Sequence, residues 1–235
     1  MYLPIERIVR VSSWLACAAV VAMVGVFFAT GVGQDPLQFV HAPEDYARLL
    51  LKNPPALRVC LAFDNAFIVF YASMFVALGM LLLRRGAPRL LVGVAVTALL
   101  LLALLDMAEN FHFMVMLSCA ERGAPPPAWE IGAQVFESLL KFHVSYLGLF
   151  LLGFALPRDT APSRVLANLS WFLQLPVGIL IYVTPPALSF ALVLVRFLYF
   201  LTALALVGAV FGSRRASAGS DAPASRPGTT PAVAG

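Results

Sequence analysis

The chain has 235 residues, of which 61% are hydrophobic and only 12% charged, with a mean hydropathy of +0.89. A water-soluble domain carries about a quarter of its residues as charged side chains, so this composition excludes one. The net charge of +4 is then no signature of nucleic-acid binding; its meaning depends on which side of a membrane the basic residues fall.

Six apolar segments are long enough to cross a bilayer, since about 20 helical residues span about 30 Å of hydrocarbon. They cover residues 11–32, 59–83, 90–118, 131–156, 165–183 and 187–212, and Pro, Gly and Arg punctuate the gaps (NPPALR, RRGAPR, ERGAPPPAWE, LPRDTAPSR, TPP). The predicted fold is an all-α, polytopic membrane helix bundle over residues 1–212. Arg7 and Arg10 precede the first segment as they would a signal peptide. Its apolar core exceeds the usual length of about 7–15 residues and no clear A-x-A site follows, so a retained helix is expected.

Between the first two segments, PEDYARLLLKN opens with acidic residues and places Tyr46, Leu49 and Leu50 at helical spacing. A short helix is predicted, either lying on the membrane surface as an anchor or capping the bundle. The fifth segment is short and contains Asn168, Ser170, Gln174 and Pro176; neighbouring helices can tolerate such a proline. From Ser213 onward the chain is small, polar and proline-rich, which predicts a disordered cytoplasmic tail over residues 213–235.

Lys and Arg set the orientation. One set of connecting segments holds Arg7, Arg10, Arg84, Arg85, Arg89, Arg158, Arg164, Arg214, Arg215 and Arg226; the other holds Arg48, Lys52, Arg58 and Arg122. The richer side is cytoplasmic, which places both termini inside, in a bacterial cytoplasmic membrane. The Asn168-Leu169-Ser170 sequon lies in a span and is not expected to be glycosylated. Trp129 and Tyr182, near outer span ends, read as interface anchors.

The informative residues are those that lipid would reject. Asp64 lies near the outer end of the second span, and Asp106, Glu109 and His112 in the outer half of the third. Glu137 and Lys141 fall in the outer half of the fourth, and Arg196 about ten residues into the sixth. The inner halves of these spans are apolar. Helical phase puts Asp106, Glu109 and Asn110 on one face, and Gln134, Glu137, Ser138, Lys141 and Ser145 on another; Asp64 aligns with Tyr71. The predicted polar pocket is therefore Asp64, Asp106, Glu109, Asn110, Glu137, Lys141 and Arg196. His112 falls at its rim and His143 outside it. A charge at the bilayer centre costs about 2.5 to 3.5 kcal/mol on insertion scales. The four carboxylates exceed Lys141 and Arg196 by two charges, an excess that protons or a bound cation would neutralise.

Glu109-Asn110-Phe111-His112 has the E-x-x-H spacing of carboxylate-bridged di-iron sites, but those need two copies. Asp106, Glu109, His112 and Asp64 could supply a mononuclear site for a divalent metal; no other cofactor is predicted. Haem lacks facing histidines, and neither a serine-nucleophile motif nor a glycine-rich phosphate loop is present. Cys60 and Cys119 both fall near the outer surface, where an oxidising compartment would permit a disulfide. Cys17 reads as an apolar filler.

LLDMAENF in one helix and LLKFH in the next resemble a pattern in bacterial multi-pass membrane proteins of unassigned activity: D-x-x-E-N, then K-F in the following span. The resemblance covers the third and fourth spans and implies that Asp106, Glu109, Asn110 and Lys141 belong together. It implies no catalytic residue and no substrate. The functional readings left open are binding of a small ligand, ion or lipid headgroup, or proton-linked transport. The alternatives are an envelope enzyme acting on a lipid, with or without a metal, and a structural subunit with a buried salt-bridge network.

Overall fold

Prolines and small polar caps fix where the helices begin. In the computed structural model, which describes residues 4–183 and 186–212, Pro4 precedes α1 (Ile5–Thr30), and a 3₁₀ turn (Asp35–Gln38) leads to α2 (Pro43–Leu50). The long spans α3 (Pro54–Arg84), α4 (Arg89–Glu121) and α5 (Ala128–Ala155) follow. Asn53 accepts a hydrogen bond from the Ala56 amide ahead of α3, whose first turn starts with two prolines. Thr160 and Ser163 form a capping box at the start of α6 (Ala161–Asn168). A π-helical stretch (Leu169–Leu173) joins α6 to α7 (Gln174–Val183), and α8 is Pro186–Gly212. The described residues are helical without strands, and six helices are long and apolar enough to cross a membrane. The tail expected from Ser213 onward lies outside the described residues, as does the side chain of Tyr182.

The helices start earlier than the apolar runs predict. α1 begins at Ile5 rather than near residue 11, because Ile5 and Val9 are buried while Arg7 and Arg10 project outward. α1 ends at Gly31, whose φ of +67° suits glycine, and the Gly31 carbonyl accepts a hydrogen bond from Lys52 Nζ at 2.8 Å.

The spans pack in chain order and the order closes on itself. α1 packs on α3, α3 on α4, α4 on α5, α5 on α7 and α7 on α8, and α8 returns to α1. Ser13 on α1 donates to the Leu204 carbonyl on α8 at that last seam. Outward faces are apolar: Phe28, Leu90, Leu104, Phe111, Phe136 and Phe172 are all more than 60% exposed. Such a belt needs hydrocarbon rather than water around it. Trp129, 70% exposed, fits the anchor reading.

Inside the ring two apolar cores are stacked. One, towards the chain termini, gathers residues such as Met74, Leu78, Leu82, Leu99, Leu152 and Phe211. The other joins Leu57, Leu61, Phe113, Met116, Leu117 and Ile131 to Leu37, Tyr46 and Leu50 of the connection after α1. Tyr46 and Leu50 are completely buried and α2 packs on α4, so this connection caps the bundle rather than merely resting on a membrane surface. The polar residues lie between the two cores.

Close helix approach depends on Gly148 of α5. A Cβ there would stand 2.7 Å from Leu99 Cγ and 3.2 Å from the Ala95 carbonyl oxygen. Gly148→Leu is expected to destabilise by about 1–3 kcal/mol, read as a lower thermal midpoint in detergent. Gly132→Ala on the same helix, where a Cβ meets nothing within 4 Å, should be neutral or mildly stabilising. Equal midpoints for the two variants would contradict the close α4–α5 seam.

Candidate functional site

Lys141 organises the polar layer. α5 aims its side chain at α4, where the ammonium contacts Asp106 Oδ1 at 2.7 Å and pairs with Glu109 Oε2. The i,i+3 spacing of the two acids on α4 brings both to one ammonium. The other oxygens are also satisfied. Tyr71 of α3 donates to Asp106 Oδ2 at 2.6 Å. Glu109 Oε1 accepts from Gln134 Nε2 at 3.0 Å and from the Ser138 hydroxyl. Glu109 is fully buried and Lys141 5% exposed. A charge pair so placed is tolerable only with its remaining hydrogen-bonding capacity filled, and here it is.

Asp64 differs. Its Oδ2 accepts from Asn110 Nδ2 at 2.6 Å, and the same amide reaches Asn65 Oδ1 at 2.9 Å. Gln34 faces this group from the cap, with its Nε2 3.4 Å from Asn110 Oδ1. Among the described residues Asp64 has amide partners and no cation in contact. Two carboxylates thus contact the Lys141 ammonium, and a third, Asp64, stands beside them in the same layer with amide partners instead.

The remaining predicted members separate from this centre. Glu137 does not pair with Lys141, its i,i+4 neighbour, because Lys141 turns to α4. Instead, Glu137 Oε2 lies 3.4 Å from His112 Nε2, and His112 Nδ1 lies 2.6 Å from Glu130 Oε1. His112 therefore faces Glu130 and Glu137 of α5 across the α4–α5 seam rather than lying at the rim of the Lys141 cluster. Arg196 meets Asp35 of the cap, with Nη2 3.6 Å from Oδ1, and its Cζ stacks 4.3 Å from the centre of the Phe142 ring. His143 lies outside, as expected, with Nδ1 2.7 Å from the Leu139 carbonyl oxygen.

The site is capped rather than open. Tyr46 is buried with its hydroxyl 3.0 Å from both Gln134 Oε1 and the Leu37 carbonyl oxygen, so its single proton serves one acceptor at a time. Burial, reinforced by the Glu109 charge, pushes the Tyr46 phenol well above its ordinary range. Asp35 is pushed up by burial too, against the opposing pull of Arg196 and Lys141.

Sequence reasoning missed Gln34, Asp35, Asn65 and Glu130. Gln34 and Asp35 sit in a connection whose polarity looks ordinary until it folds inward. Glu130 precedes the fourth predicted span by one residue, although its i,i+4,i+7 relation to Gln134 and Glu137 was a usable signal.

Of the four residues offered for a metal, Asp64, Asp106, Glu109 and His112, the last faces away from the other three. Lys141 occupies the place between the α4 acids, and His112 turns to α5. Among the described residues no three His, Cys, Asp or Glu side chains form a group able to hold a metal ion. Cys17, Cys60 and Cys119 are free thiols, so the Cys60–Cys119 bond that the outer compartment would permit is not formed in this structure. Comparison with protein-family models, curated proteins and solved structures gives no match.

Removing one member of the pair leaves charges stranded. Lys141→Met should destabilise by about 3–5 kcal/mol, and adding Glu109→Gln and Asp106→Asn should restore most of the loss, both read by thermal unfolding. If the single variant melts like the parent, Lys141 does not hold the layer together. Asp35 gives a pH dependence. Its raised value in the folded cap means that cap stability is fully present when Asp35 is protonated and falls as pH rises through that value. Amide exchange over residues 35–50, corrected for intrinsic rate, should slow as the pH is lowered towards the ordinary carboxylate range, and Asp35→Asn should remove the dependence.

Proposed function

We propose that this integral membrane protein is a proton- or cation-binding protein of the bacterial cytoplasmic membrane, with both termini on the cytoplasmic side. Asp64 and Asp106 are the exchanging acids, Glu109 is the fixed anion, and Lys141 is the fixed countercharge. The observation that carries the reading is the environment of Asp64: a carboxylate held by amides, beside an ammonium already engaged by two other acids. An ionised carboxylate without a cation in hydrocarbon calls for a proton or a positive ligand. Glu109, wrapped by Gln134, Ser138 and Lys141, is less suited to exchange because every proton or ion movement there would break several hydrogen bonds.

The test is proton and cation binding by purified protein. Between about pH 8 and pH 5, Asp64→Asn should bind about one proton fewer than the parent; for a cation, stabilisation by Na⁺ or K⁺ should disappear in the variant. Unchanged proton uptake together with unchanged salt response would end the reading. The orientation is checked by proteolysis of terminal tags in sealed inside-out vesicles, where both tags should be cut.

One observation favours a second reading, an envelope enzyme acting on a lipid. His112, 20% exposed at its side chain, is held by Glu130 at 2.6 Å, the arrangement of an oriented general base. Hydrolysis of phospholipid vesicles by the parent and not by His112→Gln would support it over binding alone.

A further inference from the structure

The Arg196 guanidinium is built like a receptor whose ligand fits poorly. Its Cζ lies over the Phe142 ring, 4.3 Å from the ring centre, and its side chain is 11% exposed. A ring on one side leaves the guanidinium N–H donors as the recognition surface, and their fork matches the paired oxygens of a carboxylate or phosphate. What occupies it is Asp35 at 3.6 Å, beyond ordinary N–H···O hydrogen-bond length. Among the described residues Arg196 has no other ionic or hydrogen-bonding contact. Lys141 Nζ lies 5.2 Å from the centre of the same ring, so a second cation adjoins the position. The anion present is delivered by a connection outside the spans and is held at long range.

We propose that the Arg196 edge, backed by Phe142, binds the carboxylate or phosphate group of an external ligand, and that Asp35 is its tethered occupant. Binding exchanges one anion for another: the incoming group takes the guanidinium N–H donors, and Asp35 leaves with the 3₁₀ turn. Leu37 and Tyr46 belong to the same cap, so its departure opens the polar layer. This site is distinct in chemistry from the exchange at Asp64 and stands without it.

The shared chemistry is an anionic oxygen pair, which can come from a dissolved small anion or from a lipid headgroup. Full-length protein is placed in phosphatidylcholine nanodiscs and its thermal midpoint followed against acetate, inorganic phosphate, or partial replacement of the lipid by phosphatidylglycerol, with chloride at matched ionic strength as reference. Asp35→Asn should respond at about tenfold lower anion than the parent, because the competing occupant is gone; adding Arg196→Gln should abolish the response. A response to acetate or phosphate assigns a dissolved ligand, and one confined to phosphatidylglycerol assigns a headgroup. No response in any arm overturns the proposal, as does an unchanged midpoint concentration in Asp35→Asn or survival of the response without Arg196. Should Asp35→Asn fail to fold, Arg196→Lys in the otherwise unaltered chain replaces it: a several-fold weaker response is expected, because lysine cannot present a fork, and an unchanged one overturns the proposal.

Discussion

Lys141 carries a positive charge into the middle of an apolar bundle, and the arrangement of four elements follows from what that charge requires. An isolated ammonium there would be expelled from the membrane or neutralised. Asp106 and Glu109, one helical turn apart on α4, meet it together. Their outward oxygens then demand donors, which Tyr71 supplies from α3 and Gln134 and Ser138 from α5. Gln134 in turn reaches Tyr46 of the cap. Register between α3, α4, α5 and the cap is thereby set by hydrogen-bond geometry, which is directional. The apolar cores above and below supply attraction without such direction.

The cap gives the layer two different neighbours. Towards α4 and α5 it contributes Gln34 and Tyr46 as hydrogen-bonding groups; on the α8 side it contributes Asp35 as a charge. Apolar side chains around it, Leu37 and Leu50, keep water from the network. Low polarity strengthens every interaction beneath, so displacement of this short connection would alter the whole network at once. A membrane protein with polar chemistry below its surface needs some cover of this kind, and here the cover is itself charged.

The bundle was legible in the sequence because a run of about 20 apolar residues has few alternatives to a spanning helix. Asp106, Glu109, Asn110 and Lys141 were legible as a group because 100° per residue places them on facing stripes. Pairing was harder. Periodicity put Glu137 and Lys141 on one face of their helix, and it could not tell that Lys141 faces α4 while Glu137 and Glu130 face His112. That choice belongs to the rotation of one helix against another, which depends on side-chain volumes such as Leu99 against Gly148. The cap residues Gln34 and Asp35 carry no periodic signal, since a turn of four residues has no face to repeat.

The π-helical stretch of the fifth span has a mechanical consequence. A π turn takes more residues than the 3.6 of an α turn, and around it the buried positions recur every fourth residue: Leu166, Ser170, Gln174 and Gly178. An ordinary helix winds its contact stripe around its axis like a screw thread, so lengthwise motion must be accompanied by rotation. A stripe that repeats every fourth residue across a widened turn runs more nearly parallel to the axis, like a rail. The seam of this span therefore runs closer to its own axis than that of an unbroken α-helix.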